Sequence, residues 1–207
     1  MTGGEPLLDF VADMRRLRRD CPWKREQTHR SLARYLQEET SETVEAIDTG
    51  DADHLREELG DLLLQVYFHA VIAEESGEFT LDDVARGIAD KMRRRNPHVF
   101  DADAPSGLSA AEVNEQWQEI KRAERLGGLD DRRAPSPYDG IAATLPALLL
   151  ATKILERSPD AATGLPPADD RGADLGDRLL ALVAEAVASG VDPEQALRDA
   201  VRRAITP

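Results

Sequence analysis

Residues 31–76 read SLARYLQEETSETVEAIDTGDADHLREELGDLLLQVYFHAVIAEES. Two apolar series at helical spacing flank a short polar turn in this stretch. Leu32, Leu36, Val44 and Ile47 predict one helix from about Ser31, and Leu55, Leu59, Leu62, Leu63, Val66 and Ala70 predict a second over about 54–76. Thr49-Gly50-Asp51 is the reversal between them. Two carboxylate pairs stand in mirror image about Gly50: Glu39 and Glu42 before it, Glu58 and Asp61 after it. Residues three apart share a helix face, so each pair points one way. The reversal sets position 39 opposite 61 and 42 opposite 58. Packed helices lie about 8–10 Å apart, which lets acids from both reach a shared cation at roughly 2.1 Å. Without a cation the four carboxylates repel one another.

A single Glu-x-x-Glu is ordinarily the wet face of a helix. Two matched pairs embedded in apolar helices point instead to a metal site. Gly60, beside Asp61, adds to this: a helical glycine costs about 1 kcal/mol relative to alanine, so its presence suggests a packing or ligand requirement. Carboxylate oxygens suit Mg²⁺ or Mn²⁺ and disfavour Zn²⁺. A ferritin-like di-iron bundle needs two Glu-x-x-His motifs, and only Glu26-Gln-Thr-His29 fits that spacing. The sequence has no Gly-rich phosphate loop, no Ser-His-Asp order and no paired CxxC.

The full chain has 207 residues, enough to bury a core without staples, and its richness in Ala, Leu, Glu and Arg with few aromatics suits helices. Its one cysteine, Cys21, excludes an intramolecular disulfide, and no apolar run resembles a signal peptide or membrane span, so a cytoplasmic protein is expected. A net charge of -14 makes nucleic acid a poor partner. The basic run Arg15 to Arg19 reads as a solvated helix face or helix end, and a second basic cluster spans Lys91 to Arg95.

Outward from the hairpin, Leu7, Val11, Met14 and Leu17 predict a first helix over about 6–20, followed by an irregular segment after Cys21-Pro22. Thr80 with Asp83 and Ser109 with Glu112 are capping boxes. They open a fourth helix that ends before Pro97 and a fifth running to about Leu126. Residues 128–140 read as a linker. Beyond it, Asp174-Leu-Gly-Asp-Arg-Leu-Leu180 echoes Glu58-Leu-Gly-Asp-Leu-Leu-Leu64, but the preceding Pro- and Gly-rich run leaves no acidic partner helix. Helices are expected near 144–157, 175–189 and 193–204.

Cys21-Pro-Trp23, Gln27-Thr-His29, Glu38-Glu-x-x-Glu42, Glu58-Leu-Gly-Asp61 and Asn96-Pro-His-Val-Phe100 together resemble the MazG nucleoside triphosphate pyrophosphohydrolases over about residues 6–126. The resemblance implies an all-α helical bundle whose four-helix core is completed in a homodimer. It also implies hydrolysis of nucleoside triphosphates to the monophosphate and pyrophosphate with Mg²⁺, Mn²⁺ being a possible substitute, in the removal of damaged or non-standard nucleotides. Residues 1–127 would then be the MazG-like domain and 141–207 a truncated, degenerate second repeat without a metal site. Carried over, Glu39, Glu42, Glu58 and Asp61 match the metal ligands. Glu38 matches the first Glu of the motif and would hold a further ion or accept a proton from the attacking water. Lys91 and Arg95 match basic residues on the triphosphate; Trp117 and Lys121 match residues that complete the substrate site. The family usually has Asp where Lys24 stands and His where Asn96 stands. The alternative in another class is a non-catalytic helical module that binds nucleotide or metal.

Overall fold

The computed structural model describes residues 5–102, 104, 107–127, 136 and 138–205. Among these every regular element is helical, as the composition predicts. The chain divides into two compact units, Met1–Lys121 and Arg122–Pro207.

In the first unit α1 spans Pro6–Asp20 and α2 is a short helix over Pro22–Glu26, where an irregular segment was expected. Pro22 at the first helical position is pre-set for a helical turn. Next come α3, His29–Thr49, and α4, Ala52–Glu75. The predicted reversal is present in detail. Gly50 ends α3 in the left-handed region (φ 73°), donating to the Ala46 and Ile47 carbonyls. The Asp51 side chain then caps α4, accepting from the backbone N–H groups of Asp53 and His54. At the other end of α3, Thr28 forms a capping box with Ser31.

Further along lie α5 (Leu81–Arg95), α6 (Pro97–Phe100) and α7 (Ala110–Gly127). Both predicted capping boxes form, through Thr80 with Asp83 and Ser109 with Glu112. The short α6 was not foreseen; like α2, it opens on a proline.

The core of this unit is Met14, Leu32, Tyr67, Phe68 and Val71, joining α1, α3 and α4. Arg18, expected on a solvated face, is instead only 7% exposed. Its guanidinium forms a bidentate pair with Glu75, and Nη1 also donates to the carbonyls of Lys24, Arg25 and Gln27. Nε and Nη2 each donate to Glu75, and the two Nη1 hydrogens are shared among the three carbonyls, so this arginine is well satisfied on burial. It ties α2 to the end of α4. Arg15 makes a parallel pair with Glu74 at 2.9 Å.

Several apolar residues at helical spacing are not covered. Leu36, Ile47, Leu59 and Val66 on the hairpin, and Val84, Ile88 and Met92 on α5, remain between 36% and 59% exposed. Their helical spacing marks an apolar face correctly, but nothing in the described chain packs over it.

The second unit holds α8 (Ala147–Arg157), a 3-10 turn (Pro159–Ala162), α9 (Leu175–Ala188) and α10 (Pro193–Ile205), close to the predicted spans. Its buried apolar residues include Leu155, Ala181 and Val183. Residues 128–135 and 137 of the expected linker lie outside the described residues.

Candidate active site

The hairpin brings three of the predicted ligands together. Glu39 projects from α3, Glu58 and Asp61 from the facing side of α4, and one carboxylate oxygen of each lies within 4.8 Å of the other two. Glu58 is only 8% exposed. Its Oε1 lies 3.1 Å from His54 Nε2, while its Oε2 is buried without a hydrogen-bond partner among the described residues. Burial, followed by the charges of Asp61, Glu42, Glu58 and Glu38, raises the Glu39 carboxyl above its ordinary range. Crowded acids with an unpartnered buried oxygen are disfavoured on their own and compensated by a cation. The donors are all hard oxygens, so the residues fit a Mg²⁺- or Mn²⁺-type ion.

Glu42 and Glu38 act on this centre by charge rather than by joining the three-oxygen group. Both are exposed. Glu42 is three residues along α3 from Glu39, 60° short of a full turn, and opens to solvent. Glu38 lies about 100° round the helix.

A second grouping joins the end of α5 to α7. The Arg95 guanidinium stands 5.4 Å from the centre of the Trp117 ring, and Lys121 Nζ stands 4.7 Å from it. Two cations share one aromatic ring, which holds positive charge in place at the end of α5. Lys91 is one turn before Arg95, half-buried, and makes no ion pair or ring contact with a described residue.

The sequence resemblance now has an independent counterpart. Residues 27–100 match the MazG nucleotide pyrophosphohydrolase domain. A Thermotoga maritima relative described as nucleoside triphosphate pyrophosphohydrolase/pyrophosphatase MazG is 38% identical over 219 residues, covering 94% of this chain and 81% of the relative. The chain belongs to the MazG family. A Mycobacterium tuberculosis relative, described as a nucleoside triphosphate pyrophosphohydrolase, is 42% identical over 96% of this chain. This chain spans only 55% of that relative's length. A Streptomyces cacaoi protein of 26.1 kDa, of undescribed activity, is 42% identical over 95% of the chain and 78% of its own length.

Within this MazG-family hairpin the sequence reading overlooked His54. Its signal was present: it precedes Glu58 by four residues and so shares its face. Lys24, the departure from the usual family pattern, has its ammonium 5.6 Å from the Trp23 ring centre and 5.2 Å from that of Phe68. The charge reversal is therefore accommodated on aromatic faces. Gly60 has nothing within 4 Å of the position a Cβ would take, so no packing among the described residues demands a glycine there. Among the described residues no helix is long and apolar enough to cross a membrane.

Proposed function

We propose that this MazG-family chain is a Mg²⁺-dependent nucleoside triphosphate pyrophosphohydrolase, converting NTP or dNTP and water to the monophosphate and pyrophosphate, with Mn²⁺ able to substitute. The observation that carries this reading is the convergence of Glu39, Glu58 and Asp61 around an unpartnered carboxylate oxygen. The descriptions of the Thermotoga and mycobacterial relatives support the reaction class.

In this proposal Glu39, Glu58 and Asp61 hold the ion, and the exposed Glu42 side chain turns in from the next turn of α3 as the fourth ligand; the ion supplies Lewis acidity and charge compensation when bound. Glu38, on the adjoining face, holds a further ion or takes the proton of the attacking water. Lys91 and Arg95 offset charge on the triphosphate, and Trp117 with Lys121 completes the substrate site. The exposed apolar stripes of the hairpin and α5 are covered by a second copy, which completes a four-helix core in a homodimer. Residues 1–127 form the catalytic domain, and 141–207 are a degenerate repeat without a metal site. The role is house-cleaning of non-standard or damaged nucleotides in the cytoplasm, with no nucleic-acid partner, in keeping with the net charge of -14.

Purified protein incubated with each nucleoside triphosphate and Mg²⁺ is expected to release pyrophosphate and not orthophosphate. Asp61→Asn is expected to abolish that release. Full activity in that variant would remove the acid cluster from the reaction.

A further inference from the structure

Among the described residues, a single basic side chain comes within ion-pair range of the three clustered acids. It is His54, whose Nε2 lies 3.1 Å from Glu58 Oε1. Burial and the neighbouring carboxylates act on Glu39, with no cation against it. The imidazole is thus the one group of this chain placed to fix a ligand rather than to repel it.

The hairpin builds this contact from local parts. Gly50 stops α3, and Asp51 Oδ1 accepts from the backbone N–H of His54 at 3.1 Å, which pins the first turn of α4. His54 and Glu58 are four residues apart and share a face. Helical side chains lean toward the N-terminus of their own helix, so Glu58 reaches back over the turn that carries His54. The His54 side chain is 39% exposed and that of Glu58 10%. The ring therefore stands on the solvent side of the contact and the carboxylate on the buried side.

A glutamate side chain gives up rotamer freedom when it is held in one geometry. If it is held before an ion arrives, less freedom is lost on binding and affinity rises. With its hydrogen on Nε2, the His54 ring can donate to Oε1. Oε2, buried and without a partner among the described residues, is then the oxygen left over. Outer partners that orient ligating side chains in this way are common at metal centres, and losing one costs about 10–100-fold in metal affinity.

We propose that His54 is a positioning residue for the metal centre: its imidazole N–H holds Glu58 Oε1, so that Oε2 stays available to an ion shared with Glu39 and Asp61. His54 touches neither ion nor nucleotide in this role and acts through Glu58 alone. The assignment rests on the acids holding a divalent ion.

The test is calorimetric titration of Mn²⁺ and of Mg²⁺ into EDTA-stripped protein with no nucleotide present. His54→Leu is expected to raise the dissociation constant about tenfold or more. His54→Gln carries an amide N–H of similar reach and is expected to recover most of the lost affinity. Metal-free thermal melts of both variants should stay close to wild type, since the side chain is partly exposed. In a pyrophosphate assay of His54→Leu, the Mg²⁺ concentration for half-maximal rate should rise by a similar factor. The rate at saturating Mg²⁺ should stay within about twofold of wild type, because only ion binding has been weakened. Equal dissociation constants in wild type and His54→Leu overturn the assignment, as does a His54→Gln variant that binds as weakly as His54→Leu. A lower rate at saturating Mg²⁺ with unchanged ion affinity also overturns it. Each of these results leaves the pyrophosphohydrolase reading standing. Should His54→Leu fail to fold, His54→Ala supplies the same comparison. A wild-type protein that binds neither ion overturns both.

Discussion

Glu58-Leu-Gly-Asp61 and Asp174-Leu-Gly-Asp177 are nearly the same four residues, yet they serve opposite ends. The first lies inside α4, where both carboxylates project from one face toward Glu39. The second straddles the start of α9. Asp174 is the N-cap, and its Oδ1 accepts from the backbone N–H groups of Gly176 and Asp177. A carboxylate engaged by orphan amides at a helix start is satisfied locally. Mid-helix against another acidic helix, Glu58 has His54 beside Oε1 but no partner for Oε2 among the described residues, and the clustered charge calls for balance from outside. Place along the helix, more than residue type, separates a pair turned toward a facing acid from a cap.

The largest expected contrast is in activity. Asp61→Asn should lower pyrophosphate release by about 10²–10³-fold, the scale of losing several kcal/mol of transition-state charge stabilisation. Asp177→Asn should leave it at the wild-type rate. Equal losses from both in a pyrophosphate assay would mean that the two motifs are functionally equivalent after all.

Next in size is the clamp that fixes the Trp23 segment beside the first motif. Arg18→Met is expected to cost about 2–3 kcal/mol, because charge-assisted hydrogen bonds to Glu75 and three carbonyls are lost together. Urea denaturation measures it, and a loss below about 0.5 kcal/mol, typical of a surface change, would contradict the buried role.

The two motifs should also respond oppositely to loss of charge in metal-free protein. Asp174→Ala removes a cap and should destabilise the second unit by about 1 kcal/mol. Glu39→Gln should stabilise the first. The Glu39 carboxyl is raised above its ordinary value of 4.5 in the folded protein, so its ionised form detracts from folding stability above that raised value. The penalty fades as pH falls and is gone below the ordinary value. With EDTA present, the gain from Glu39→Gln should be full near neutral pH and vanish below about pH 4; a gain that grows on acidification would show that the sign is wrong. Mg²⁺ should reverse the order, since an ion bound only by the folded wild type stabilises it.

The smallest contrast lies in the paired glycines. Gly60→Ala should raise the stability of the isolated chain by about 0.5–1 kcal/mol, helix propensity acting without a clash. Gly176→Ala should gain less, because its Cβ would meet Asp174 Oδ1 at 3.0 Å. Thermal melts of the two variants compare them directly. If Gly60→Ala is more stable yet less active, the glycine serves an approaching ligand or second copy.

Much of this molecule could be read in one dimension because it is governed by local rules. Helix starts at Thr80 and Ser109, the stop at Gly50 and the cap at Asp51 depend on residues within a few positions of one another. The facing of Glu39 with Glu58 and Asp61 follows from helix period and one tight reversal. Short helices opened by Pro22 and Pro97 escaped because a few residues carry too little periodicity. Burial escaped for a different reason. Arg18 looks like any arginine in a basic run, and nothing nearby in sequence says that Glu75 and three carbonyls converge on it from 57 positions and from the next turn. Likewise Ile47 and Leu59 look like core, and only the fold leaves them open.

The sequence by itself determined that the chain is helical, where the hairpin turns, and which acids share a face, since those properties are fixed by backbone geometry and neighbours along the chain. Only the tertiary structure decided that Glu58 is buried with a free oxygen, and that Arg95 and Lys121 meet over Trp117. Burial and long-range contact depend on how helices distant in sequence come to pack, and no local periodicity encodes that.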